Sequence, residues 1–137
     1  SPQEGLDLVL GDEPDSVMSQ KQALIVSTHR DVRLVLRARL ALARLTLADD
    51  ADSGTQALAM SREKQYDLAL VDASAGGEVD AWALLRQLRT GRHAVPHVAI
   101  TKPGLSLLER LRARMSGVEA LLDPPPPAQF ETWLSRI

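Results

Sequence analysis

The chain predicts an α/β fold, a parallel sheet covered by helices on both faces, and three observations carry that expectation. Short apolar runs of strand length (Gln22–Val26, Tyr66–Asp72 and Val95–Thr101) alternate with helix-length segments whose apolar residues recur every three or four positions. The run Tyr66–Asp72, YDLALVD, is apolar on both of its faces before it stops on an acid, as a central parallel strand does. Loop formers Ser74, Gly76 and Gly77 follow it. In open α/β sheets ligands bind beyond the carboxyl ends of the strands, so Asp72 stands where a reactive carboxylate would stand. A carboxylate that merely caps the strand would occupy the same position.

Composition sets the bounds. The 137 residues suffice for one domain with a full core, and 45% hydrophobic with 25% charged residues is ordinary for a globular chain. Only 3% are aromatic, so the core must be aliphatic. The absence of cysteine excludes disulfides, thiol catalysis and thiolate metal sites. A net charge of −2 argues against nucleic acid or an anionic membrane as partner, and no apolar run has the length of a membrane span. A cytoplasmic location is the expectation.

In chain order, residues 1–20 carry Glu4, Asp7, Asp12, Glu13 and Asp15 among Pro2, Gly5, Gly11 and Pro14, and read as an acidic linker or leader to a domain spanning 21–137. Gln22–Val26 is the first strand. Asp31 stands as an N-cap before a helix with the stripe Val32, Leu34, Val35, Leu36, Leu40 and Leu42, interleaved with Arg30, Arg33, Arg37, Arg39 and Arg44. Leu45–Ala48 reads as a second strand and Asp49–Asp52 as an acidic turn. A helix over 55–63 turns Ala57, Leu58 and Met60 inward, and the strand Tyr66–Asp72 follows. Asp80 caps a helix over 81–89 bearing Trp82, Leu85 and Leu88. After Val95–Thr101, a helix over 105–115 marks Leu108, Leu111 and Met115 as its buried side, and Gly117 stops it. Val118–Leu122 is a fifth strand, and Phe130, Trp133, Leu134 and Ile137 line a last helix. Strands joined by helix-length crossovers give a flavodoxin-like (βα)5 doubly wound sheet of order 2-1-3-4-5. Neither G-x-G-x-x-G nor a Walker loop follows the first strand.

From Gln22 to Ile137 the chain resembles the receiver domain of bacterial two-component response regulators. ALIVSTHRDVRLVLRARL is similar to the receiver opening, and ADSGTQAL to the family's Ala-x-x-Gly-x-x-Ala-Leu segment. YDLALVD resembles the strand that ends on the phosphoacceptor aspartate, AITK the strand that ends on the switch hydroxyl, and SGVEALLDPPPP the run into the family's Lys-Pro. The resemblance implies phosphoacceptor and switch positions at Asp72 and Thr101.

Departures from the family are as informative. The acidic pair that holds magnesium falls on Ser27 and Thr28, the phosphate-gripping lysine on Pro124 with the following proline on Pro125, and the switch aromatic on Leu121. The loop Asp72-Ala73-Ser74-Ala75-Gly76-Gly77 lacks the family's proline and is one residue longer. Carboxylate phosphorylation brings two anions together, and a hard dication and an ammonium normally stabilise that charge. Each such attraction at 4 Å is worth roughly 4 kcal/mol at an effective dielectric near 20. Hydroxyls at Ser27 and Thr28 hold a dication weakly; Lys102 is placed to supply a compensating charge, and His29 and Arg30 near the end of the first strand are placed to neutralise Asp72 instead of a metal.

The expectation is therefore a pseudo-receiver: not an enzyme, without a resident metal or cofactor, and with Asp72 and Thr101 vestigial. It would act as a regulatory protein–protein interaction module in two-component signal transduction. The alternative is a phosphorylatable receiver that accepts a phosphoryl group from a histidine kinase on Asp72, with weakly held Mg²⁺. Partners of either would be a histidine kinase, a phosphotransfer protein or an output domain on the same or another chain, or a second copy in a homodimer. Candidate interface residues are Arg33 and Arg37 on the first helix, with Leu107, Leu121 and Trp133 near the C-terminus. A third class, a flavodoxin-like enzyme or ligand binder, is weakened by the missing phosphate loop and the scattered His29, His93 and His97.

Overall fold

The computed structural model describes residues 18–73 and 80–137. The leader through residue 17, and the loop from Ser74 that contains Gly76 and Gly77, lie outside the described residues. Five strands, β1 (Gln22–Val26), β2 (Leu47–Ala51), β3 (Leu68–Asp72), β4 (His97–Thr101) and β5 (Glu119–Leu121), form one parallel sheet of order β2-β1-β3-β4-β5. Helices α1 (Arg30–Leu42), α2 (Gly54–Glu63), α3 (Ala81–Leu88), α4 (Leu107–Met115) and α5 (Pro127–Leu134) alternate with them. The expected flavodoxin-like topology is the observed one.

The period of two in each strand divides the core between the two faces of the sheet. Leu24, Val26, Ala69, Val71, Val98 and Ile100 pack under α2, α3 and α4. Ala23, Ile25, Leu68, Leu70, Ala99 and Leu121 pack under α1 and α5, where Leu36, Leu40, Phe130, Trp133 and Leu134 close the layer. Each fully buried leucine contributes about 2 kcal/mol of burial free energy. Met18 packs against this second layer.

Four local expectations are corrected. The second strand is Leu47–Ala51, not Leu45–Ala48, so Asp49 and Asp50 belong to a strand and not to a turn. Propensity disfavours acids in strands, but tertiary partners override it here. Tyr66 Oη (2.7 Å) and Lys64 Nζ (2.9 Å) donate to Asp49, while Arg37 and Arg33 pair with Asp50. His29, whose side chain makes no capping bond, is the N-cap of α1, and Asp31 lies in the first turn, where an acid complements the helix dipole. Leu34, Val35 and Leu42 face outward, leaving Leu36 and Leu40 as the buried pair of α1.

The largest correction concerns α4. Leu108, Leu111 and Met115, expected on the buried side, are 77%, 52% and 79% exposed, and Ala113 alone is buried. Ser106 and Glu109 form a capping box that starts the helix at Leu107, two residues later than expected. The small Ala113 side chain faces the sheet, and the large apolar ones face away from it.

The β5 edge is covered in an unusual way. The Gln129 side-chain amide accepts from Leu122 N–H (3.4 Å) and reaches the Ala120 carbonyl (3.5 Å). A side chain thus occupies backbone groups that a further strand would otherwise pair.

Candidate functional site

The parallel register brings the strand ends together. Ala23↔Leu68 through Val26↔Val71 sets Ser27, just past β1, beside Asp72, the last residue of β3. Asp72 in turn pairs with Thr101, the last residue of β4. Ser27 and Thr101 are fully buried and Asp72 is 4% exposed. The site is a packed polar pocket at the carboxyl end of the sheet.

Ser27 Oγ donates to Asp72 Oδ2 at 2.7 Å and accepts from the His29 N–H at 3.0 Å. The hydroxyl therefore hands the carboxylate a proton where an acidic residue would have presented a second negative charge. Thr28, next in sequence, points to solvent and takes no part. Thr101 Oγ1 is buried and has no hydrogen-bond partner among the described residues. Buried polar atoms are nearly always paired, which singles this hydroxyl out beside Asp72.

Cations near the site are engaged elsewhere. Lys102 Nζ pairs with Glu109 in the first turn of α4, and this hydrogen bond holds the Glu109 carboxyl down at about 2. Arg33 donates to the Ser27 carbonyl at 2.8 Å and approaches Asp50 at 3.6 Å, so its charge goes to β2.

An acid that sequence reasoning missed adjoins the pocket. The pKa of Asp123 is raised, first by burial and then by the negative charges of Asp72 and Asp31. The peptide bond between Asp123 and Pro124 is cis. Both Pro124 and the residue before it lack a positive charge. Among the described residues, no three His, Cys, Asp or Glu side chains are grouped to hold a metal ion.

Of the expected interface residues, Leu107 is 75% exposed, whereas Leu121 (0%) and Trp133 (4%) are buried core. Trp133 stacks at a tilt on Phe130, with ring centroids 6.1 Å apart. Burial removes Leu121 and Trp133 from the candidate surface; for Trp133 the helical spacing with Phe130, Leu134 and Ile137 already favoured a core position. Arg33 and Arg37 are part-buried and tied to Asp50. Leu108, Leu111 and Met115, taken for core in the sequence, join Leu107 in an exposed apolar stripe. No helix among the described residues is long and apolar enough to cross a membrane.

No protein-family model and no curated protein sequence matches the chain. Solved structures do. Chemotaxis response regulator CheY4 of Vibrio cholerae superposes with TM-score 0.72 at 17% identity, covering 85% of this chain and 97% of that one. The receiver domain of NtrX from Brucella abortus gives TM-score 0.73 at 19% identity, covering 84% and 96%. A CheY-like receiver domain from Methylobacillus flagellatus gives 0.70 at 22%, covering 85% and 97%. The chain shares the fold of these receiver domains over nearly their whole length.

Proposed function

We propose that this chain is a pseudo-receiver of two-component signal transduction, a receiver fold kept for binding a protein partner and not for phosphoryl transfer. One observation carries the reading: Ser27 Oγ donates to Asp72 Oδ2 at 2.7 Å in the place where a metal-binding acid is expected. A phosphoryl group on Asp72 would add negative charge beside Asp123 and Asp31. Repulsion between unit charges 4 Å apart is of order 4 kcal/mol at an effective dielectric of 20, enough to oppose the transfer. On this reading the domain has no resident Mg²⁺, is not an enzyme, and works in the cytoplasm.

Its working surface is α4, where Leu107, Leu108, Leu111 and Met115 lie exposed along one helix. Such clustering of large apolar side chains on a small domain favours a protein partner. A histidine kinase, a phosphotransfer protein or an output domain fits the reading, and a homodimer is the competing arrangement.

A second reading, a receiver phosphorylated on Asp72 by a histidine kinase, is favoured by one feature. Thr101 Oγ1 is buried beside Asp72 with no hydrogen-bond partner among the described residues, as a switch hydroxyl awaiting a phosphoryl oxygen would be. Acetyl phosphate with Mg²⁺, followed by intact-mass spectrometry and by amide NMR with beryllofluoride, separates the two. The pseudo-receiver reading expects no mass increase and no shift at Asp72 or Thr101; a phosphoryl adduct on Asp72 would overturn it.

A further inference from the structure

A cleft of about 330 Å³ opens at the other end of the sheet, between the C-terminal end of α2 and the turn that follows α3. Arg62, Gln87, Thr90, Arg92 and His93 line it, over a floor formed by Leu58 and Ser61. We propose that this cleft is a binding site for a phosphate monoester, the dianion seated between Arg62 and Arg92. The proposal is independent of the reading of Asp72, from which the sheet separates it.

Three features support this chemistry. Arg62 and Arg92 make no ion pair among the described residues, although Arg33, Arg37, Lys64, Lys102 and Arg136 all do. No carboxylate lines the cleft. The donors are also varied in kind: two guanidinium forks, an imidazole and the Gln87 amide. Guanidinium matches phosphate oxygens in bidentate fashion, and a tetrahedral dianion accepts donors from several directions at once.

Two helix C-termini meet here, and their dipoles work against an anion. Each contributes about half a negative charge, so two whole guanidinium charges outweigh them. Nor do these arginines act as helix caps. The α2 end is closed by Lys64 N–H on the Met60 carbonyl, and the α3 end by Arg89 N–H. Ser61 Oγ donates to the Leu58 carbonyl, so it shapes the floor without offering its proton. The volume falls at the lower end of the range for small-molecule sites.

The test is an amide NMR titration of the whole chain with inorganic phosphate, then with adenosine monophosphate, at constant ionic strength kept with chloride. Saturable shifts confined to residues 58–62 and 87–93 are expected, with affinity lowered about tenfold or more in Arg62→Gln/Arg92→Gln. Both arginines are exposed, so the variant's spectrum should otherwise overlay the wild type. Tighter binding of adenosine monophosphate than of phosphate would identify an esterified ligand; equal binding would identify the free anion. The proposal fails if no shift saturates by about 10 mM, if the double variant binds equally well, or if equal shifts appear at the arginines of α1 and α4.

Discussion

Two sets of carboxylates flank β1, and they are held in opposite ways. Asp49 and Asp50 on β2, opposite Leu24 and Ile25, are met by Tyr66, Lys64, Arg33 and Arg37. Asp72, on the other side of β1, receives a serine hydroxyl and has further acids for neighbours. Arg33, Arg37 and Lys64 are thus committed to the structural acids of the edge strand. Strand-end geometry places Asp72 beside Thr101 and within reach of the Ser27 hydroxyl.

The strongest way to break this contrast is Ser27→Asp, which replaces the donor to Asp72 with a second buried negative charge. Urea denaturation at neutral pH in EDTA should show a loss of about 3 kcal/mol, the scale for an uncompensated buried charge. Added Mg²⁺ should restore much of that loss. An unchanged midpoint would mean that Asp72 does not depend on the Ser27 proton.

Tyr66→Phe probes the other side and should cost about 1.5 kcal/mol, the scale of a hydrogen bond to a charged acceptor. The Tyr66 hydrogen bond, followed by the one from Lys64, holds Asp49 below its ordinary value. That stabilisation is present above the unfolded carboxylate pKa and is lost as pH falls through the lowered folded value. The gap between wild type and Tyr66→Phe should therefore narrow in acid, and a constant gap would assign the loss to packing.

Asp123→Asn should act in the opposite sense. Its folded pKa is raised by burial and by Asp72 and Asp31, so its contribution to stability is present in acid and lost as pH rises through that value. The variant should gain less than about 1 kcal/mol at neutral pH, as befits a part-exposed site, and nothing in acid. A loss at neutral pH would show that Asp123 has a favourable partner.

Lys102→Met should have the smallest effect. The lysine pairs with Glu109, so the amide shift of Asp72 should stay in place while those of the first turn of α4 move. Movement at Asp72 would return Lys102 to the pocket.

Much of this architecture was legible in the chain. The apolar runs located β1, β3 and β4, and the expected strand order put β3, which ends on Asp72, beside β4, which ends on Thr101. What stayed illegible depended on contacts distant in sequence. Asp49 and Asp50 read as a turn because the partners that neutralise Asp49, Lys64 and Tyr66, lie 15 and 17 residues further on. On α4 an apolar stripe at helical spacing identified a face but not its direction, and the lone Ala113 gave no signal of being the inward residue. The hydroxyl bond from Ser27 to Asp72 spans 45 residues and rests on a register that the sequence implies only through the order of strands.

The Gln129 amide on β5 bears on how the protein behaves in a crowd. An open sheet has two raw margins, and either could recruit the margin of a neighbour and propagate into ribbons. On β5 a side chain already fills the backbone positions an incoming strand would seek, and on β2 the carboxylates of Asp49 and Asp50 make an apolar neighbour unwelcome. Gln129→Leu should leave the monomer folded yet shorten the time to turbidity in concentrated solution, a property set by the rim of the molecule and not by its core.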